Sequence, residues 1–207
     1  MTEEQALLFR ILQASLWSGK SVLSDQIIPN TIFEELRNQT VDGLVAAVIP
    51  KMESDRYLRA AHFAQMIAVQ NETIHILHKA GIPLVILKGT ASGIYYPQPY
   101  LRRYGDVDIL VHPGNYQQAV RLLSENGFAW SGSFGEIETQ LSRSNFAIEV
   151  HCSVSGLDRL PKSERQFIQD SLLAGLEEAQ IGKLTNPDCE FPMLPWEQNG
   201  LELIWHP

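Results

Sequence analysis

Two stretches of this chain carry residues suited to chemistry on phosphate. The first is Leu87-Lys88-Gly89-Thr90, and the second is Gly105-Asp106-Val107-Asp108-Ile109-Leu110-Val111. Side chains alternate along a strand, so Asp106 and Asp108 project from one face while Val107, Ile109 and Val111 turn to the other and into a core. Two carboxylates held side by side repel each other and lose hydration, and a divalent cation is the commonest compensation. The pair therefore points to metal-dependent phosphoryl chemistry.

A third carboxylate comes from Phe146-Ala147-Ile148-Glu149-Val150-His151. Alternation sets Phe146, Ile148 and Val150 on one face and Glu149 and His151 on the other. If this strand lies beside Asp106 to Val111, Glu149 joins the aspartates at one edge of a sheet. Three acids there suit two magnesium ions (manganese is the alternative), with water and phosphate oxygens completing the octahedra. Taken alone, an Asp-x-Asp pair is common on solvent-facing strand ends. The glycine turn upstream and the glutamate on a later alternating strand shift the reading to a metal site.

Lys88-Gly89-Thr90 fits as a phosphate turn: glycine admits close backbone approach, the helix start offers free N–H groups, and Thr90 adds a hydroxyl. Lys88 and Arg102 are candidate phosphate cations, and a guanidinium can grip two oxygens at once. His151 is read either as a nucleotide contact or as a hydrogen-bond partner of Glu149. Arg143, at a hairpin tip, reads as a solvated charge.

The elements that must position these groups follow from periodicity. Residues 1–80 read as a helical region. Thr2-Glu3-Glu4-Gln5 is a capping box before a helix that Gly19 stops, and Thr31-Ile32-Phe33-Glu34 repeats the pattern before a second helix. A third short helix ends at Pro50, and residues 55–80 form one long helix closed by Gly81 and Pro83. Residues 81–160 read as the sheet core: a buried strand at Leu84 to Leu87, a helix at Gly89 to Tyr96, and the strand Asp106 to Val111. An amphipathic helix at Asn115 to Asn126 follows, then a strand at Phe128 to Ser131. Ile137 to Leu141 and Phe146 to Val154 pair around a turn at Ser142 to Asn145. Residues 161–207 read as a helical tail, with a proline-rich loop before a last short segment at Trp196 to Trp205. The fold class expected is α+β: a helical amino-terminal domain and a small mixed sheet with flanking helices.

Composition suits a globular chain of 207 residues, 44% apolar and 19% charged. A net charge of −8 argues against nucleic acid as a broad partner. No leader and no membrane-length apolar run is present, and two cysteines are too few for a disulfide scaffold, so a cytoplasmic location is expected.

The order Lys88-Gly89-Thr90, Tyr95-Tyr96-Pro97, Arg102, Gly105-Asp106-Val107-Asp108, Glu149-Val150-His151 resembles the uncharacterised nucleotidyltransferase family of the polymerase-beta-like superfamily. The resemblance covers residues 80–155 best. It implies that Asp106, Asp108 and Glu149 are metal ligands and that Gly89 and Thr90 form the phosphate turn, with Thr90 standing where the superfamily usually has serine. It implies an NTP substrate, a hydroxyl acceptor and pyrophosphate as product. Family members usually continue into further helices, so an ending at Pro207 suggests a truncated form. The competing expectation is a non-catalytic nucleotide-binding or protein-interaction module with the same fold.

Overall fold

Helix formation starts where a cap is available. Thr2 accepts from the Gln5 backbone N–H at 3.2 Å while its own N–H donates to the Gln5 side chain at 2.9 Å, and α1 (Glu3–Gln13) follows. The computed structural model describes residues 2–18, 28–46, 48–96, 98–153, 157–185 and 188–195. Among these it is α+β, with seven α-helices and one seven-stranded mixed sheet. The chain forms two compact units: Met1–Gln65 with Tyr95–Tyr104, and Met66–Ile94 with Gly105–Pro207. Gly19, Pro97, Val154 and the segment expected at 196–205 lie outside the described residues.

The first unit is helical. Its core gathers Ile11 of α1, Ile32, Phe33 and Leu36 of α2 (Asn30–Asn38), Val45 of α3 (Asp42–Val45), and Met52. The second capping box does not form. Pro29, with its fixed φ, precedes α2, and no side chain caps the helix. Thr31 instead donates to Glu4 of α1 at 3.0 Å. Gly43 of α3 is required sterically, because a Cβ there would collide with the Leu101 carbonyl. The long helix α4 (Glu53–Lys79) runs through residue 65, where the first unit ends, into the second. It closes at Gly81, whose φ of 72° suits glycine, with the Ile82 N–H returning to Leu77 O at 3.0 Å.

The second unit holds the sheet, in the order β3-β4-β5-β2-β1-β7-β6. Strand β1 (Leu84–Leu87) is a buried apolar run and pairs antiparallel with β2 (Asp106–Val111), whose four apolar residues are buried as well. Strand β5 (Phe146–His151) lies beside β2, parallel and in register from Asp106↔Ala147 to Leu110↔His151. Strand β4 (Glu138–Arg143) pairs antiparallel with β5, and β3 (Ala129–Trp130) adds to β4. The hairpin turn is two residues, Ser144 and Asn145, both at positive φ as a twisted hairpin demands, so it is tighter than the four-residue turn expected. The helix after Lys88 is also shorter than expected: α5 covers only Gly89–Gly93.

α6 (Tyr116–Glu125) packs on β4 and β5. α7 (Lys162–Glu177) buries Ile168, Leu172 and Leu176 against Val85, Leu87 and Leu110. That face also carries Asp106 and Asp108, since Leu87 pairs with Asp108 and Val85 with Leu110. The face thus divides along β2 into an acidic first half and an apolar second half. After α7 the structure departs from the expected loop: β6 (Gln180–Thr185) and β7 (Asp188–Met193) form a hairpin that joins β1 in parallel at Ile86↔Met193. Cys189, Phe191 and Met193 alternate inward, and Gly182 leaves room for the Phe191 ring opposite it. The prolines at 187 and 192 masked that alternation.

Arg143 is likewise not a solvated charge. It grips Glu72 of α4 with two nitrogens, at 2.6 and 3.2 Å, and donates to Gly127 O at 3.0 Å, fastening the hairpin tip to the helix.

If α7 is the cover of the acidic face's apolar half, Leu172→Ala should destabilise the protein by about 3 kcal/mol, the usual cost of a buried leucine truncation. Urea denaturation reads this directly; a loss below about 1 kcal/mol would remove α7 from that role.

Candidate active site

The register of β2 against β5 places Asp108 directly beside Glu149, with both side chains on the α7 side of the sheet. Asp108 is almost completely buried, at 2% exposure. His151, two residues beyond Glu149, is fully buried and sits among the acids. Its Nε2 lies 3.1 Å from Asp108 Oδ1 and 3.6 Å from Glu149 Oε2, and its Nδ1 lies 3.1 Å from Glu138 Oε2. Lys88 approaches from the end of β1 with Nζ 3.0 Å from the same Asp108 Oδ1.

Electrostatics follows from these contacts. Burial alone would lower the His151 pKa, but hydrogen bonds to Asp108 and Glu149 and the charges of Asp108 and Glu138 raise it to about 9. His151 is therefore an imidazolium at neutral pH. Burial pushes Asp108 upward, yet its bond to His151 and the charge of Lys88 hold it below the usual carboxylate range. Asp106 goes the other way: burial and then the charges of Asp108 and Glu149 raise it, against the pull of Lys88. Burial is the larger cause for Asp106, and the neighbouring carboxylates add to it.

The turn feeding this cluster is strained. Lys88 has φ 39° and Gly89 φ 34°, and for a residue with a Cβ such a conformation costs about 1–3 kcal/mol. The Ser92 N–H donates back to Lys88 O at 2.9 Å and closes the turn. Thr90 is 1% exposed, and its hydroxyl donates to Gln70 of α4 at 2.5 Å. The side chain expected to meet phosphate thus donates inside the fold. Arg102 belongs to the first unit, where its guanidinium lies 5.0 Å from the Tyr104 ring centre and 5.8 Å from that of Tyr96.

The sequence reading brought Asp106, Asp108, Glu149 and Lys88 forward but omitted Glu138. A two-residue turn at Ser144-Asn145 sets Glu138 opposite His151, whereas the four-residue turn slips the register by two. One oxygen each from Asp108 and Glu149 and one His151 nitrogen lie within 4.8 Å of one another, close enough to share a cation. The donor set fits a divalent metal: four carboxylates, counting Asp106 and Glu138, face one lysine and one imidazolium. The oxygens suit magnesium or manganese; His151 would join as a ligand only after losing its proton.

The sequence model of a family described as uncharacterised nucleotidyltransferase matches residues 22–207, and the chain belongs to that family. No curated protein and no solved structure matches the chain. No helix among the described residues is long and apolar enough to cross a membrane.

The raised pKa of His151 has a stability consequence. Its unfolded value is near 6.5, so the stabilisation from its carboxylate contacts is complete below that pH and is lost as pH rises through about 9. Metal-free protein should lose on the order of 3 kcal/mol across this window, and His151→Gln should flatten the profile. Urea midpoints measured from pH 6 to 9.5 test it; an unchanged wild-type midpoint would contradict the assignment.

Proposed function

We propose that this nucleotidyltransferase-family chain moves a nucleoside monophosphate from an NTP to a hydroxyl acceptor and releases pyrophosphate. The observation that carries the reading is the register of β2 and β5, which aligns Asp108 with Glu149 beside the turn containing Lys88 and Gly89. Asp106, Asp108 and Glu149 would hold two divalent ions, magnesium before manganese, which supply charge neutralisation for the triphosphate and acidify the acceptor hydroxyl.

The chain's own groups account for the rest. The strained turn presents backbone N–H groups at Gly89 to phosphate oxygens. Lys88 exchanges its Asp108 contact for the triphosphate when nucleotide arrives. The acceptor oxygen attacks the α-phosphorus in line; the new O–P bond forms as the bond from that phosphorus to the bridging oxygen breaks, and pyrophosphate leaves. Glu149 takes the hydroxyl proton. His151 touches Asp108, Glu149 and Glu138 at once and acts as a positioning residue, fixing the carboxylates that meet the nucleotide. No nucleophilic serine or cysteine is required, because the acceptor itself attacks.

One observation favours a second reading, a nucleotide-binding module without turnover: Asp108 already has Lys88 and His151 as partners. The same experiment separates the two. Protein incubated with each NTP, magnesium and a panel of hydroxyl compounds should release pyrophosphate, and chelation should stop it. Asp108→Asn should lower kcat at least about 100-fold, the scale for losing one preorganised electrostatic group. Equal turnover in wild type and variant removes the assignment, and saturable nucleotide binding with no product from any acceptor selects the second reading.

A further inference from the structure

The side of the sheet that carries the acids continues beyond them. Ser153 has the parity of Glu149 and His151 and lies two residues past the end of β5. Around it opens a cavity of about 430 Å³, walled by Ile137 and Leu157 and by Lys162, Arg165 and Gln169 from the first half of α7. This is the size of a small-molecule pocket. Gln169 is fixed at its base, accepting from the Ser153 hydroxyl at 2.5 Å and donating to Cys152 O at 3.3 Å.

The cations are less committed. Arg165 donates to the Leu160 carbonyl at 3.5 Å, and neither Arg165 nor Lys162 has a carboxylate partner among the described residues. In a chain of net charge −8, two such cations in one concavity select for an anion. The apolar pair Ile137 and Leu157 offers a surface for a short carbon skeleton.

We infer that this cavity is a second ligand site, apart from the acidic cluster, and takes a small compound bearing a carboxylate or a phosphate. Lys162 and Arg165 hold the acid group, and Ile137 and Leu157 face its carbon skeleton.

Amide NMR of the full chain, with glycerol 3-phosphate, D-glycerate and glycerol as probes, tests the site without requiring turnover. The two anions should bind saturably with shifts centred on residues 162–169, in wild type and in Asp108→Asn alike, and their relative strength identifies the preferred acid group. Glycerol should bind at least about tenfold more weakly. Lys162→Gln with Arg165→Gln, and separately Lys162→Glu, should weaken the anions about tenfold or more; these exposed positions leave the core untouched. No saturable anion binding below about 10 mM, or binding indifferent to both variants, overturns the inference.

Discussion

The protein depends on holding like charges together at one point of a sheet. Parallel pairing of β2 and β5 sets Asp108 against Glu149, and Asp106 is close enough for its own ionisation to be opposed by both. Nothing in strand pairing favours this; adjacent carboxylates destabilise a sheet. It is tolerated because His151, on the same strand and face as Glu149, touches three carboxylates at once, and because Lys88 reaches Asp108 from β1. The imidazolium is well chosen for the place. Its charge lies within 3.6 Å of carboxylates on β2, β4 and β5, so one buried side chain serves all three strands.

Topology brings the remaining parts to that point. β1 and β2 run antiparallel, so the end of β1 meets the start of β2, and the turn at Lys88 arrives beside the aspartates despite the long connection between the strands. The positive φ of Lys88 is the local cost of turning directly from a buried strand into a short helix while keeping the ammonium near Asp108. Thr90 anchors the far side of the turn through Gln70 of α4. The strained peptides are thus clamped between an ion pair and a buried hydrogen bond. A turn held from both ends is already ordered before any phosphate arrives, so ligand binding need not supply its ordering entropy.

Much of this was legible because it rests on short-range pattern. The alternation in Asp106 to Val111 and in Phe146 to His151 predicts which side chains share a face, and β1 and β2 fall where the apolar runs end. What periodicity misses is long-range. The capping pattern at Thr31 looks sound locally, but Pro29 sets the helix entry and Glu4 takes the hydroxyl. Arg143 looks solvated until α4 is laid beside the hairpin tip. Glu138 shares the face of Glu149 with either turn length, but only the two-residue turn sets it opposite His151. The β6–β7 hairpin was hidden by prolines that read as loop, although the inward alternation of Cys189, Phe191 and Met193 was present. Thr90 is the instructive case: its position in a phosphate-turn pattern says nothing about Gln70, twenty residues earlier on a helix whose facing cannot be read locally.

The charge count constrains what such a site will accept. Asp106, Asp108, Glu149 and Glu138 contribute four negative charges, while Lys88 and the His151 imidazolium return two; at Asp106 the charges of Asp108 and Glu149 add to burial in raising the pKa. A bare phosphate entering this cluster would be repelled, because one lysine already shared with Asp108 cannot offset it. A bare cation would be held, but with His151 protonated and Lys88 in place the attraction is partly cancelled. In the proposed reaction a triphosphate arriving with cations would meet both conditions: the cations would offset the acids, and the phosphate oxygens would draw Lys88 off Asp108. Each ligand would then raise affinity for the other, coupling metal and nucleotide reciprocally.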